Sequence, residues 1–309
     1  MVVFGVRSLG RFSFTILFAL QNTGNAVSLQ LSMSLSICSI ASGSNGNCYY
    51  VGNDSEAVLI DAGISCKEIE TRMKRSGLSL QKVKAVFVSH EHSDHVAGLP
   101  VLAKKYNLPV FITPPTLRNC RLRFEKNLLQ FFAADTPVVI GDISITPFSK
   151  KHDAADPYSF TVSSHGINVG VITDIGRACD NVVAHFSQCH AAFLESNYDE
   201  AMLQNGNYPF YLKNRIRSGQ GHISNREALL LFQQHRSPQL SHLFLSHLSR
   251  NNNCPKLVGQ LFTSNASGVN MIVTSRFQES AVYQITGLSK LPRNNYDSFV
   301  TQSQLSFSF

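Results

Sequence analysis

The 309 residues contain no C-x-x-C pair, no internal repeat and no apolar run long enough to span a bilayer. The seven cysteines (Cys38, Cys48, Cys66, Cys120, Cys179, Cys189, Cys254) are an odd, scattered set. That excludes a disulfide framework and a cysteine zinc site, and it points to a reducing cytosol. The thiols read instead as small buried hydrophobes. Glycine-rich phosphate loops, zinc knuckles and RNA-binding signatures are also missing, so the common nucleotide and RNA modules are excluded.

Acidic residues are absent from the first 32 positions, where Arg7 and Arg11 precede the apolar stretch FSFTILFAL at 12–20. This order imitates an export signal, but no small-x-small cleavage site follows directly; Asn25-Ala26-Val27-Ser28 comes nearest. Because cysteine usage points inward, the expectation favours translation from Met33, with residues 1–33 an extension outside the fold. The tail 286–309, rich in Ser, Gln and Asn, is expected to be loose. One domain over 34–285 remains, and a hydrophobic content of 43% is enough to give it a substantial core. Two arginines in the first segment and a net single positive charge in the last leave +4 of the formal +7 to that domain. A phosphate-bearing substrate fits such a balance, as many others would.

What is present is an alternation of short β-rich runs and helix-like stretches. Strands are expected at 36–41 and 48–51 around the turn-rich SGSNGN, at 57–61 and at 83–89. Helices are expected at 66–76 and 96–106, with a short strand at 109–112. A second half repeats the scheme. Strands fall near 138–140, 143–148, 158–163, 168–173, 191–195, 243–246, 269–274 and 282–285, and helices near 179–187 and 224–235. Ser224 and Glu227 have the spacing of a capping box at the start of the last helix. Two β-rich halves, each flanked by helices, predict an α/β protein built as a four-layer αββα sandwich.

The chemistry concentrates at Ser89-His90-Glu91-His92-Ser93-Asp94-His95, directly after the buried run VKAVFVS. The chain has eleven histidines and none before His90, so three within six positions are not background. A loop can turn such neighbours toward one point, whereas a strand would alternate them between faces. Imidazole nitrogens and a carboxylate at this density suit zinc, manganese or iron.

The order H-x-H-x-D-H resembles the signature of the metallo-β-lactamase superfamily, whose fold is the αββα sandwich. The resemblance implies further ligands downstream. His152 in KHDA, Asp174 in TDIG and His247 in LSHLS each follow a strand in the expected order. It assigns His90, His92 and His152 to one divalent metal ion, Asp94, His95 and His247 to a second, and Asp174 to both. A carboxylate at Asp174 is typical of the phosphodiesterase, nuclease and thioesterase branches and is lacking in the β-lactamases proper. The segments SIASGSNGNCYY, LIDAGIS, VSHEHSDHVAGL, HDAADP, LESNYDEAML, GNYPFYLKNRI, GHISN and LSHLSRNNN extend the likeness to the YycJ (WalJ) group of cytosolic bacterial enzymes. That group implies 5′-to-3′ exonuclease action on DNA. The 73 residues from Asp174 to His247 are filled by core elements and leave no room for the clamp domain of RNA-processing relatives.

The expectation is therefore a metal-dependent hydrolase with DNA as substrate and no membrane association. Asp94 and His222 are its candidate catalytic residues. His222 precedes the helix at 224–235 and is placed to protonate a leaving oxygen or meet phosphate; a histidine packed at a helix start is the plain alternative. Glu195, Asn197 and Asp199 are candidates for contacts behind the ligands. Lys213, Arg215 and Arg217 are candidates for phosphate contact, with a solvated basic face the commoner explanation. Asn251, Asn252 and Asn253 beside Arg250 either line the cleft or form a polar loop. His165, His185, His190, His235 and His242 read as structural or surface residues. Two rivals remain: a thioester or β-lactam hydrolase on the same scaffold, and a metal-binding regulatory protein with little turnover.

Overall fold

The computed structural model describes residues 34–287 and, before them, the backbone of one strand pair, Ile16–Leu17 with Ser28–Leu29. The rest of the expected N-terminal extension and nearly all of the expected tail lie outside the described residues.

Two seven-stranded sheets face each other. The first takes β1 (Ser34–Ala41), β2 (Cys48–Gly52), β3 (Ala57–Ile60), β4 (Val83–Phe87), β5 (Val110–Phe111) and β6 (Leu129–Gln130) in chain order. The second takes β7 (Val138–Ile140), β8 (Ile143–Ser149), β9 (Tyr158–Ser164), β10 (Ile167–Ile172), β11 (Ala191–Glu195), β12 (His242–Ser246) and β13 (Asn270–Val273). The last strand, β14 (Tyr283–Thr286), returns to pair antiparallel with β1 and complete the first sheet. Both sheets begin with antiparallel neighbours and continue with parallel ones. Parallel neighbours need crossovers, and crossovers need helices to cover the sheet faces.

Those helices are α1 (Cys66–Arg75), α2 (Ser93–Val96), α3 (Leu99–Tyr106), α4 (Pro114–Asn119), α5 (Asp180–Phe186), α6 (Glu200–Asn205), α7 (Phe210–Ile216), α8 (Asn225–His235) and α9 (Pro255–Thr263). Strand period sets the layers. In β11, Ala191 and Phe193 point into the core between the sheets, while Ala192 and Leu194 point outward beneath α5, α8 and α9. In β1, Leu35 and Ile37 face inward, and Cys38 and Ile40 pack under α1 and α3. The expected four-layer sandwich is the observed one. The Ser224–Glu227 capping box is formed as its spacing predicts.

Two helical expectations change. The helix expected at 96–106 starts instead at Leu99, with the short α2 before it, because the Gly98 amide donates to the Ala62 carbonyl at 2.9 Å and its Cα packs so closely that a Cβ would come within 1.8 Å of the Ile64 carbonyl oxygen. The loop stays pinned to that backbone instead of continuing a regular helix. The helices α4, α6 and α9 are additions to the expected set, and for α9 the polar run before it hides its start. Its signal is Pro255 at the first turn and Val258 and Phe262 one turn apart on the buried side.

Parallel strands bring their C-terminal ends to one edge, and there β3 and β4 of the first sheet meet β8, β10, β11 and β12 of the second. Gly63 fastens this edge: a Cβ there would lie 1.6 Å from the Asp94 carbonyl oxygen, which accepts the Asn47 amide at 2.7 Å. Gly63→Ala is expected to cost at least about 1–3 kcal/mol by overpacking against fixed backbone. Urea unfolding of the variant checks this, and wild-type stability would show that the loop yields.

Candidate metal centre

Every expected ligand leaves a strand end at this edge. His90, His92, Asp94 and His95 follow β4, His152 follows β8, Asp174 follows β10 and His247 follows β12. The backbone turns sharply to aim them. Asp61, Asp174 and His247 all sit in the left-handed region, with φ of 62°, 54° and 55°. Non-glycine residues adopt it at a cost that the surroundings must offset, and such residues cluster at functional sites.

Among the described residues, two of four overlapping groups hold the expected ligands other than Asp174, which joins His90 and His95 in a third and Glu195, His222 and His247 in the fourth. In one, His90 Nε2 lies 3.0 Å from His92 Nδ1, and His152 Nε2 lies 3.4 Å from the same atom. In the other, Asp94 Oδ2 lies 3.5 Å from His247 Nε2 and 3.6 Å from His95 Nε2. Asp174 stands between them. Its Oδ2 is 3.2 Å from His95 Nε2, and its Oδ1 is 3.4 Å from His247 Nδ1 and 3.9 Å from His152 Nε2.

The far side of each buried ring is held by the fold. Asp61 Oδ2 accepts from His95 Nδ1 at 2.7 Å and from the Ser89 hydroxyl at 2.8 Å, while its Oδ1 accepts the Ser89 amide. The Ser89 hydroxyl also meets His90 Nδ1 at 2.9 Å. His152 Nδ1 donates to the Gly221 carbonyl at 2.8 Å, and His247 Nδ1 contacts Glu195 Oε1 at 2.9 Å. Such contacts fix tautomer and orientation, so that the opposite nitrogen faces the cluster. Asp61, Ser89 and Asn47, whose Nδ2 lies 3.1 Å from His95 Nε2, were not singled out from the sequence as site residues. The signal was there in the LIDAGIS motif, where a carboxylate ends a strand just as Asp174 does.

Electrostatics divide the histidines. Burial pushes His90 well below the ordinary imidazole value and His152 down to about 4, so both are neutral nitrogen donors. Burial also opposes charge on His95 and His247, but Asp174 and its neighbouring carboxylates outweigh it. His95 rises well above the ordinary value, and His247 reaches about 10. Against its own burial, Asp94 is held down to about 2 by His95 and His247. Beneath the cluster, Lys150 is buried with its Nζ donating to the Thr173 carbonyl at 2.7 Å, and burial lowers its pKa.

A divalent cation fits this donor set. Asp174 Oδ2 and His247 Nε2 are buried and make no well-formed hydrogen bond, only ion-pair contacts with His95 at 3.2 Å and Asp94 at 3.5 Å, which leaves both atoms able to coordinate a cation. Mixed imidazole and carboxylate donors suit zinc, manganese or iron.

Around the centre, His222 comes from the loop before α8, as expected. Its Nδ1 donates to Glu195 Oε1 at 2.7 Å, and its ring lies 5.3 Å from that of His152 and 5.2 Å from that of His247. Glu195 and Asn197 stand behind His247; the Asn197 amide donates to the His247 carbonyl at 2.7 Å. Asp199 does otherwise than suggested and caps α6 through the Met202 amide. Asn253 is buried and ties together Ser196, Asn197 and Asn225, Asn252 is buried, and Asn251 bonds Tyr208. This triplet is scaffold. Arg215 pairs with Asp153, next to His152, while Lys213 and Arg217 lie against Gln204. His185 stacks on Phe148, and His190 accepts the Asn168 amide, both structural as read.

In the metal-free chain His247 keeps a proton up to about pH 10, and Asp94 stays ionised down to about pH 2. A raised histidine stabilises the fold below its unfolded value and loses that contribution as pH climbs through the folded one. A cation taking His247 Nε2 must displace the proton, so its apparent affinity is expected to rise with pH, roughly tenfold per unit for each proton released. Calorimetric titration of zinc at pH 7 in buffers of different ionisation enthalpy should show at least one proton released. Binding that releases none would contradict this charge assignment.

Comparison with known proteins agrees with the geometry. The family described as Beta-lactamase superfamily domain matches residues 56–247. Exodeoxyribonuclease YycJ of Bacillus anthracis is 35% identical over 244 residues, covering 77% of this chain and 92% of its own. Exodeoxyribonuclease WalJ of Streptococcus pneumoniae is 29% identical over 223 residues, covering 71% of this chain and 83% of its own. Among solved structures, the metallo-beta-lactamase fold protein YhfI from Bacillus subtilis superposes with a TM-score of 0.62 at 15% identity, over 81% of this chain and 99% of that one. With its sandwich, its buried histidine and aspartate cluster and its match to YycJ over 92% of that protein in accord, the chain belongs to the beta-lactamase superfamily and is a metal-dependent hydrolase of that fold.

Proposed function

We propose that this protein hydrolyses phosphodiester bonds of nucleic acid, acting on DNA as an exonuclease from the 5′ end, at a centre of two divalent cations. The observation that carries the reading is the Asp174 carboxylate, fully enclosed, with one oxygen toward His95 and the other toward His152 and His247. On this reading His90, His92 and His152 hold one cation, Asp94, His95 and His247 hold the other, and Asp174 serves both. The choice of DNA and of exonuclease action is supported by the exodeoxyribonuclease relatives YycJ and WalJ. All seven cysteines are free, which suits a reducing cytoplasm. Among the described residues no helix is long and apolar enough to cross a membrane.

When bound, two cations lower the pKa of a coordinated water and stabilise charge on a phosphoryl oxygen. The chain's own residues do the rest. Asp94 is the most accessible of the carboxylates Asp61, Asp94, Asp174 and Glu195, at 19% side-chain exposure. With a pKa of about 2 it stays a hydrogen-bond acceptor over the working pH range, able to orient the attacking water. His222 holds a proton for the leaving oxygen, with Glu195 gripping Nδ1 so that Nε2 is the delivering atom. The buried Asp61–Ser89 pair keeps His95 and His90 in place throughout.

Metal-stripped protein supplied with zinc, manganese or iron, one at a time, tests the reading on 5′-labelled single-stranded DNA, duplex DNA and RNA. Cleavage of DNA should return with at least one cation and fall by about 1000-fold or more in Asp174→Asn. His222→Ala should lose roughly 100- to 10,000-fold on DNA. It should lose far less on a p-nitrophenyl diester, whose leaving group needs no proton. DNA and RNA left intact under every cation would overturn the proposal.

A further inference from the structure

One element joins the metal centre to an exposed surface that the core does not explain. Helix α7 buries Ile216 and half-buries Leu212, one turn apart, against Tyr198 and Leu203. That inner face accounts for its packing. On the outside Phe210 and Tyr211 are each 73% exposed, and the fold gains nothing from two aromatic rings there. The C-terminal half of the same helix is fastened to the centre: Arg215 pairs with Asp153, the neighbour of His152.

The chain after α7 then folds back on it. The His222 amide donates to the Ile216 carbonyl at 2.8 Å, and Gly221 offers its own carbonyl to His152. Gly221 has to be glycine, since a Cβ would stand 2.3 Å from the Arg215 carbonyl oxygen. The segment that orients His152 and delivers His222 is thus the segment that displays Phe210 and Tyr211. From Phe210 to Arg215 is about 8 Å along the helix axis, so the rings stand less than two helical turns from the side chain tied to Asp153.

Charge points to the occupant. No Asp or Glu lies between Glu200 and Glu227, whereas Lys213, Arg215, Arg217 and Arg226 fall in that interval. Arg215 is neutralised by Asp153. Lys213 and Arg217 have only amide partners, Gln204 and Asn214, and neither is paired with a carboxylate among the described residues. Exposed rings beside uncompensated cations make a surface that stacks bases and follows phosphates, the way unpaired strands are held without sequence preference. A duplex keeps its base faces covered and has no use for such rings.

We propose that Phe210 and Tyr211, flanked by Lys213 and Arg217, form a stacking platform for an unpaired stretch of the nucleic-acid substrate beside the metal centre. This rests on the phosphodiesterase reading and specifies the substrate form that the site takes. The protein contains no tryptophan, so Tyr211→Trp introduces a single fluorophore at the platform.

The test uses the full chain, a fluorescein-labelled single-stranded oligonucleotide, the matching duplex, and a p-nitrophenyl phosphodiester too small to reach the platform. Indole fluorescence of Tyr211→Trp should be quenched by the single strand. Phe210→Ala/Tyr211→Ala should bind it at least about 10-fold more weakly, given roughly 5- to 150-fold per stacked base. The same variant should keep its thermal midpoint and its rate on the small diester. Unchanged single-strand affinity with no quenching would overturn the platform, whatever the small diester does. So would a wild-type dimer that dissociates in the double alanine variant, because the rings would then belong to a self-interface. Failure of wild type on the small diester and on DNA, with strand binding and quenching intact, would instead sink the hydrolytic reading and leave the platform standing.

Discussion

Charge enclosed away from bulk solvent is the constraint on which the rest of the structure depends. Asp61, Asp174 and Glu195 are enclosed at one edge of the sandwich together with His90, His95, His152 and His247. Carboxylates in such surroundings must be offset by protons or cations in close contact, because solvent cannot do it. In the chain alone, protons on His95 and His247 supply the offset, while burial keeps His90 and His152 neutral. The result is a set of donors that a cation completes by displacing protons.

That balance needs placement finer than a loop alone provides, and the two sheets supply it. Each runs from antiparallel hairpins into parallel strands, so the parallel halves bring their C-terminal ends together. The left-handed turns at Asp61, Asp174 and His247 then swing side chains into the edge, and close backbone contacts at Gly63 and Gly98 keep them there. The contacts behind the candidate ligands stay within each half, and the His247 amide reaches across the sandwich to the Ser42 hydroxyl at 2.8 Å. Asp61 of the first sheet orients His95, and Glu195 of the second holds both His247 and His222. The geometry of the candidate site and the stability of the fold therefore draw on the same hydrogen bonds.

The parts legible in the sequence were those with a short-range signature. His90 to His95 lie within six residues after an apolar run, and the strands carrying His152, Asp174 and His247 have clear β patterns. The sandwich followed from two β-rich halves, each flanked by helices. What stayed hidden depends on contacts distant along the chain. Asp61 reads as the polar end of a strand until its 34-residue reach to His95 is seen. Lys150 carries no signal of its own in the sequence, yet it is buried and donates to the Thr173 carbonyl, one residue before Asp174. Asp199 has the same composition signal as a residue contacting the ligands and turns out to cap a helix. The split between α2 and α3 comes from Gly98 meeting the backbone of Ile64, which helical periodicity cannot register.

The central claim is that Asp174 is shared by two cations in one buried cluster. Metal content measured on the purified, zinc-loaded protein and on its Asp174→Asn variant tests it most directly, with both chains checked for intact folding. The account predicts two equivalents in the native chain, with the variant losing at least one of them. A single equivalent in both chains, or no change on removing the Asp174 charge, would contradict it.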